Sequence, residues 1–212
     1  MTMRIFLVIL MACNACLGTK GNGQAAQQTR SVVPVHALVV QGALTVLVDA
    51  QAKTPRTLLR GDENLLDKID TSIVDGVLTV STNGQLTPVV PLVLELATPA
   101  LDAVTLQGAA AVTLAGLHGN QFDLHVDGAA DVHGKGSVDK LQLTLSGIAA
   151  VDAENLLAHD VAVDVSGASR CVVHPLQALD VKISGTGTVE YIGREVKITK
   201  NIAGIGVLRP KD

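Results

Sequence analysis

Apolar and polar residues alternate through the C-terminal half of the chain, and the alternation restarts every 18 to 20 residues. A glycine recurs at the same place in each copy, at Gly108, Gly128, Gly147, Gly167, Gly185 and Gly204. In the first five copies, aliphatic residues stand four and two positions before the glycine with a polar residue between them, as in Leu143-Thr144-Leu145. Because successive side chains of a strand point to opposite sides, this pattern predicts one inward and one outward column. A fixed period near 20 residues is typical of a solenoid.

The residues after each glycine continue the inward column. The fourth residue after the glycine is Val112, Val132, Val151, Cys171 or Val189. A single turn cannot bury such an apolar edge, whereas turns stacked at about 4.8 Å pair their backbone groups and form ladders of aliphatic side chains. The sequence therefore predicts an all-β fold, a β-helix with turns of about 19 residues. The sixth copy, Val196 to Val207, is looser, because Lys200 takes an aliphatic position.

Composition agrees with a thin tube filled by small and aliphatic side chains, without room for aromatic ones. Only Phe6, Phe122 and Tyr191 are aromatic, tryptophan is absent and 17% of the residues are charged. The repeat glycines are expected at a corner of the coil, where a positive φ or a close approach of two backbones favours glycine.

The region before the repeats follows the strand pattern more loosely, and the coil is predicted to begin near Val35. Residues 61–69 combine a polar start with Leu65, Leu66 and Ile69 on one helical face, which predicts a short capping helix. The sequence around Asp75-Gly76 predicts a β-hairpin over residues 73–80. Together they would shield the unpaired edge of the first turn. Residues 34–208 contain no linker, so they are predicted to form a single domain.

The N-terminus has the order of an export signal over residues 1–12, with an apolar run too short to span a bilayer. Leu10-Met11-Ala12-Cys13 resembles the lipobox of bacterial lipoproteins, in which the cysteine is acylated and becomes the new N-terminus. Cys13 is therefore the predicted lipidation residue, and the membrane is a predicted partner through this anchor. Cys16 fits the pattern less well, and plain secretion is the open alternative.

Two further features follow the predicted anchor. Asn14 comes after the cysteine and, by the usual bacterial sorting pattern, implies the outer membrane. Residues 13–33 are rich in glycine, glutamine and alanine without an apolar period, which predicts a flexible tether. The protein is therefore expected to be exported, to the periplasm or the outer membrane.

Residues with candidate chemistry are few. Cys171 takes an inward position, which predicts a core thiol. His133 lies one turn from Asp152 at the same outward position, and Arg170 and Asp131 lie nearby on adjacent turns. Two ligands fall short of the three or four that zinc usually requires, and no cluster of carboxylates supports catalysis. We therefore predict no catalytic, cofactor-binding or metal-binding residue, and no enzyme activity.

Charge and composition also bear on partners. The formal net charge of −4 and the scarcity of aromatic residues argue against nucleic acid and against sugar binding by stacking. A polysaccharide held by hydrogen bonds alone is still compatible with this composition.

The repeats resemble the bacterial β-helical family known as "putative autotransporter adhesin, head GIN domain" over roughly residues 35 to 208. The likeness rests on aliphatic strands that end in Ser-Gly, as in Leu145-Ser146-Gly147, Val165-Ser166-Gly167 and Ile183-Ser184-Gly185. The resemblance implies a right-handed β-helix. The family has no agreed catalytic residues, so it implies no site residues here.

The leading functional interpretation is a non-enzymatic protein of the cell envelope, an adhesin or surface scaffold with an unidentified protein or glycan partner. The alternative is a β-helix that binds or degrades cell-surface polysaccharide. A groove lined by three or more converging carboxylates would favour the alternative.

Overall fold

Parallel strands stack into a solenoid of about five turns in the computed structural model, which describes residues 18–211. The strands are β1 (Thr19–Lys20), β2 (Ala25–Ser31), β3 (Ala37–Asp49), β4 (Arg56–Asp62), β5 (Ile69–Val74), β6 (Val77–Thr82), β7 (Leu86–Thr87), β8 (Val93–Ala97), β9 (Ala103–Val126), β10 (Ala129–Leu145), β11 (Ile148–Val165), β12 (Ala168–Ile183), β13 (Thr186–Tyr191), β14 (Lys197–Ile202) and β15 (Ile205–Pro210). The helix α1 (Glu63–Leu66) has four residues. The predicted export signal and the predicted lipidation at Cys13 lie outside the described residues.

Each long strand from β9 to β12 follows most of one turn of the coil and pairs in parallel with the turns above and below it. The main sheet begins with β15 and continues through β13, β12, β11, β10 and β9 to β3. The aliphatic columns stack inside as the sequence predicts: Val132 pairs with Val112 on one side and Val151 on the other, and all three are buried. The predicted β-solenoid is confirmed.

Phe122 corrects the expectation that the tube excludes aromatic side chains. It is fully buried in the core, and it pairs with Leu141 of the next turn. A single aromatic ring therefore fits in an interior filled mainly by valine, leucine and alanine.

The repeat glycines stack directly upon one another at one corner. A Cβ added to Gly108 would lie 2.5 Å from the carbonyl oxygen of Gly42, and one added to Gly147 would lie closer still to that of Gly128. Gly42 and Gly108 have positive φ angles, whereas Gly147 does not. Close backbone approach is therefore the requirement common to this column, and a positive φ is needed only in its first two members.

The segment before the repeats is more ordered than predicted. β2 pairs antiparallel with β4, so residues 25–31 of the predicted tether form a strand. This segment lacks the apolar periodicity of the turns because β2 lies at the edge of the sheet, where its backbone forms the contacts.

The predicted hairpin is present as β5 and β6, with φ angles of 49° at Asp75 and 73° at Gly76. β6 and β8 pair with successive parts of β3, on the opposite edge from β9. The predicted helix is reduced to α1, in which Leu65 and Leu66 are buried. The role of the helix and the hairpin as a cap on the first turn stays a prediction. Within residues 18–211, no helix is long and apolar enough to cross a membrane.

Candidate functional site

An apolar strip follows the glycine column along the length of the solenoid. It consists of the side chains that stand one and three positions after each stacked glycine and point outward from seven successive strands. These residues are Ala43, Thr45, Ala109, Ala111, Ala129, Asp131, Ile148, Ala150, Ala168, Arg170, Thr186, Thr188, Ile205 and Val207. We call this strip the alanine face.

The alanine face forms the floor of a groove with a volume of about 1160 Å³. The groove is shallow because six of the fourteen outward side chains are methyl groups and the inward residues between them, such as Ala130 and Ala149, are also small. Pro88, Val89 and Pro91 form a wall at the end near β3. The strip is continuous because the strands beneath it are in register, from β3 to β15.

Large apolar side chains also lie exposed on this face. Ile148 is 68% exposed at its centre and Ile205 is 80% exposed at the end far from the wall, with Val207 beside it. Monomeric soluble proteins rarely expose a large contiguous apolar patch, and such patches mark contact surfaces or ligand grooves. The face is therefore the strongest candidate for a binding surface in the described part of the chain.

Asp62 fixes the wall of the groove. Its carboxylate is buried and accepts hydrogen bonds from the backbone N–H groups of Gly23 at 2.6 Å, Val89 at 2.8 Å and Val90 at 3.0 Å. Burial of this carboxyl raises its pKa, but the hydrogen bonds from Val90, Val89 and Gly23 outweigh burial and hold the pKa below its usual range. Asp62 thus ties β4 to the N-terminal segment and to the wall.

Replacing Asp62 by asparagine is expected to lower the melting temperature, because an amide N–H₂ group would face the N–H donors of Val89 and Val90. A folded-state pKa below the unfolded value gives stabilisation that is complete above the unfolded value, near 3.9 for Asp, and is lost as the pH falls through the folded pKa. The native protein should therefore lose melting temperature on acidification below about pH 5 more steeply than the variant.

The control for this experiment is Asp160→Asn, at an exposed position on the solenoid. Thermal melts of the three proteins between neutral and acidic pH measure the effect. Parallel melting curves for native protein and Asp62→Asn across that range would contradict the assigned role of the carboxylate.

A second buried carboxylate, Glu190, is bound by two arginines. Arg170 Nη2 lies 2.7 Å from Glu190 Oε2, and Arg209 Nε lies 2.9 Å from Oε1. Hydrogen bonds from Arg170 and then Arg209 hold the pKa of the Glu190 carboxyl below its usual range. Only 7% of the Glu190 side chain is exposed, against 65% of the Arg170 side chain. Glu190 therefore joins three successive turns and holds the Arg170 side chain of the alanine face.

His133 lies between two carboxylates. Its Nδ1 is 3.5 Å from Asp152 Oδ2, and its Nε2 is 3.5 Å from Asp131 Oδ1. The structure thus brings together the predicted His133 and Asp152, whereas Arg170 turns away from both aspartates to Glu190. Across residues 18–211, no group of three His, Cys, Asp or Glu side chains could hold a metal ion.

Cys171 has the environment of a core residue. It is buried in the inward ladder between Val151 and Val189. Burial, with a smaller contribution from the charge of Glu190, raises the pKa of the thiol to about 12. Since the thiolate is the nucleophile, this cysteine is unreactive at neutral pH.

Sequence reasoning missed the alanine face, Asp62 and Glu190. The face could have been found by aligning the outward positions after each glycine, because alanine recurs there in Ala109, Ala111, Ala129, Ala150 and Ala168. No local signal identifies Asp62 or Glu190, since their partners lie about 20 to 40 residues away.

A family model described as "Putative auto-transporter adhesin, head GIN domain" matches residues 35–194. No curated protein matches the chain.

Solved structures with the same fold come from Bacteroides and Parabacteroides species. A "putative adhesin" of Bacteroides fragilis is 16% identical with a TM-score of 0.70, covering 92% of this chain and 100% of that one. A "putative adhesin" of Parabacteroides merdae is 18% identical with a TM-score of 0.59, covering 92% and 99%. A "putative lipid binding protein" of Parabacteroides distasonis is 18% identical with a TM-score of 0.54, covering 91% and 99%. At these identities the likeness establishes the fold alone.

Proposed function

Because the chain belongs to the "putative auto-transporter adhesin, head GIN domain" family, we propose that it is a non-enzymatic protein of the cell envelope that makes adhesive or scaffolding contacts through the alanine face. The observation that carries this proposal is the face itself. It exposes Ile148, Ile205 and six alanines on a rigid ladder of paired strands. A rigid surface loses little conformational entropy on binding, so it suits a contact surface.

The charged groups near the face support a role in binding rather than catalysis. Arg170 is bound to Glu190, and His133 lies between Asp131 and Asp152. A general acid or base requires a group that can exchange a proton with a substrate held beside it. The carboxylate of Glu190, with a lowered pKa and two arginine partners, is poorly suited to that role.

The location proposed for the protein is the outer face of a membrane, with the solenoid held by lipid on Cys13. Support comes from the lipobox-like sequence before this cysteine and from the family name. One membrane anchor near the N-terminus would leave the whole length of the alanine face available to a partner.

Replacing Cys13 by serine tests this location. The serine hydroxyl cannot take the thioether-linked lipid, so we expect the variant to leave the membrane fraction, to lose incorporation of a fatty-acid label and to appear in the soluble envelope fraction. Cys16→Ser is the matched control and should keep both label and membrane association. Membrane association of Cys13→Ser equal to that of the native protein would contradict the anchor.

A second candidate function is the binding of an apolar ligand in the groove. The groove is long and lined mainly by apolar side chains, and its volume of about 1160 Å³ is near the upper end of small-molecule sites. One relative of the same fold is named a "putative lipid binding protein". Titration of the protein with a fluorescent fatty acid distinguishes this candidate, since saturable binding competed by unlabelled fatty acid would support it.

A further inference from the structure

We propose that the alanine face is a self-complementary interface on which a second copy of this chain packs antiparallel, about a two-fold axis at the Gly147 turn. This inference deepens the proposed function by naming the partner of the same face.

The central position of the axis follows from the strand register. The residues three positions after the glycines form one straight column, in which Ala111 pairs with Asp131, Asp131 with Ala150, Ala150 with Arg170 and Arg170 with Thr188. Three strands precede Ala150 in the column and three follow it. Ala150 is therefore the midpoint of the face.

Two residues of opposite charge lie at equal distances on either side of that midpoint. Asp131 lies one strand before Ala150 and Arg170 lies one strand after it. Consider a two-fold axis that lies in the plane of the face, along the strand through Ala150. It places each strand opposite the strand of the second copy that lies at the same distance on the other side of Ala150. Asp131 then faces Arg170 of the second copy, and Arg170 faces Asp131 of the second copy. An isologous interface requires such reciprocal contacts.

Both charged groups are exposed enough to make this contact, although Asp131 also lies beside His133 and Arg170 also binds Glu190. The side chains of Asp131 and Arg170 are 62% and 65% exposed. Arg170 uses Nη2 to bind Glu190, which leaves other N–H donors of its guanidinium for a second carboxylate. Glu190, which also accepts a hydrogen bond from Arg209, holds the guanidinium group of Arg170.

The shape of the face has the same symmetry. Ile148 lies on the axis and would meet Ile148 of the second copy, while Ala129 would meet Ala168 of the second copy. Ile205, the most exposed apolar residue, would meet Ala43 beside the wall of Pro88 and Val89. A bulky end of one copy would thus enter the recessed end of the other.

The pairing of the backbone favours a second solenoid over an extended peptide in the groove. The groove runs across the strands, whose N–H and C=O groups are used in the parallel ladders beneath it. A peptide along the groove would bury its own backbone groups without partners, at a cost in free energy. A second sheet brings a fully paired backbone, and two sheets pack face to face at about 10 Å.

The antiparallel arrangement has a consequence for adhesion. The N-terminal regions of the two copies would lie at opposite ends of the pair. Two copies anchored through their N-termini in facing membranes could then pair, which is the geometry of contact between two cells.

Sedimentation velocity of the purified chain and of charge-reversal variants tests the interface. We expect the native protein to dimerise. Asp131→Arg places like charges opposite each other at both symmetric positions and should raise the dissociation constant by at least about 100-fold. Arg170→Asp should do the same. An equimolar mixture of these two variants should form a heterodimer, since each supplies the charge that the other lacks.

Two further variants guard against loss of folding, because Arg170→Asp also removes a partner of Glu190. Ile148→Asp should abolish the dimer, whereas Leu176→Asp, at an exposed apolar position outside the groove, should not. A circular dichroism spectrum checks the fold of each variant.

Three results would overturn the interface: a native protein that is monomeric at its highest soluble concentration, a dimer unaffected by Asp131→Arg and Ile148→Asp, or a fatty acid that binds the groove without competing with dimerisation. None of these results depends on the membrane anchor. Surface adhesion by a monomeric protein would refute the dimer and leave the proposed function intact.

Discussion

Replacing Gly147 by alanine is expected to lower the melting temperature by on the order of 10 °C, a loss of about 3 kcal/mol or more. The added Cβ would collide with the carbonyl oxygen of Gly128 in the turn below. That oxygen also accepts a hydrogen bond from the N–H of Ile148, so it cannot move without weakening the ladder. The two turns would have to separate at the corner beside the alanine face.

Gly134→Ala is the matched control, because its Cβ would meet only Leu156 at an ordinary contact distance of 3.5 Å. Thermal melts followed by circular dichroism provide the comparison. Similar melting temperatures for the two variants would show that the corner can spread, and would refute the assigned role of the glycine column.

Replacing Val151 by aspartate is expected to destabilise the protein by about 3 to 5 kcal/mol. Val151 is 4% exposed and stacks between Val132 and Cys171 in a dry ladder, where a carboxylate finds no hydrogen-bond donor or counter-charge. Protonation of the new carboxyl would reduce the cost without removing it, since an unpartnered polar group would still be buried.

The control is Thr144→Asp, three positions before Gly147 on the outward side. Its neighbours in the adjacent turns are His125 and Asp164. Repulsion between the new carboxylate and Asp164 is expected to cost only about 0.2 to 1 kcal/mol. Equal losses of unfolding free energy for the two variants would contradict the assignment of inward and outward columns.

The repeats could be predicted from the sequence because their contacts repeat with the chain. Every inward position of one turn contacts the same position of the next, as Val132 does with Val151, so a period of about 19 residues carries both the fold and the register. The glycine column was predicted for the same reason. Its physical cause is the collision of stacked backbones, which sequence alone left undecided.

The N-terminal segment could not be predicted in the same way. β2 is held by backbone pairing to β4 and by the bond between Gly23 and Asp62, neither of which requires an apolar pattern. A composition rich in glycine and glutamine is therefore compatible with an edge strand as well as with a tether. The wall of the alanine face is held by the same Asp62 carboxylate, so the sequence did not predict it either.

The alanine face was missed because alanine at an outward position carries no hydrophobic alternation. Only the stacking of many turns converts single methyl groups into a continuous surface. The charged residues show that turn spacing predicts neighbours but not the direction of a side chain. The spacing predicted that His133 and Asp152 would be neighbours, but not that Arg170 would bind Glu190.

If the alanine face is the contact surface of the protein, the attachment of cells depends on its exposed side chains. Cells that lack the native protein and carry either Ile148→Asp or Leu176→Asp allow the most direct measurement, with surface expression checked in each case and attachment compared with that of cells carrying the native protein. We expect cells with Ile148→Asp to lose attachment and cells with Leu176→Asp to retain it. Full attachment with Ile148→Asp would show that the alanine face is not the contact surface.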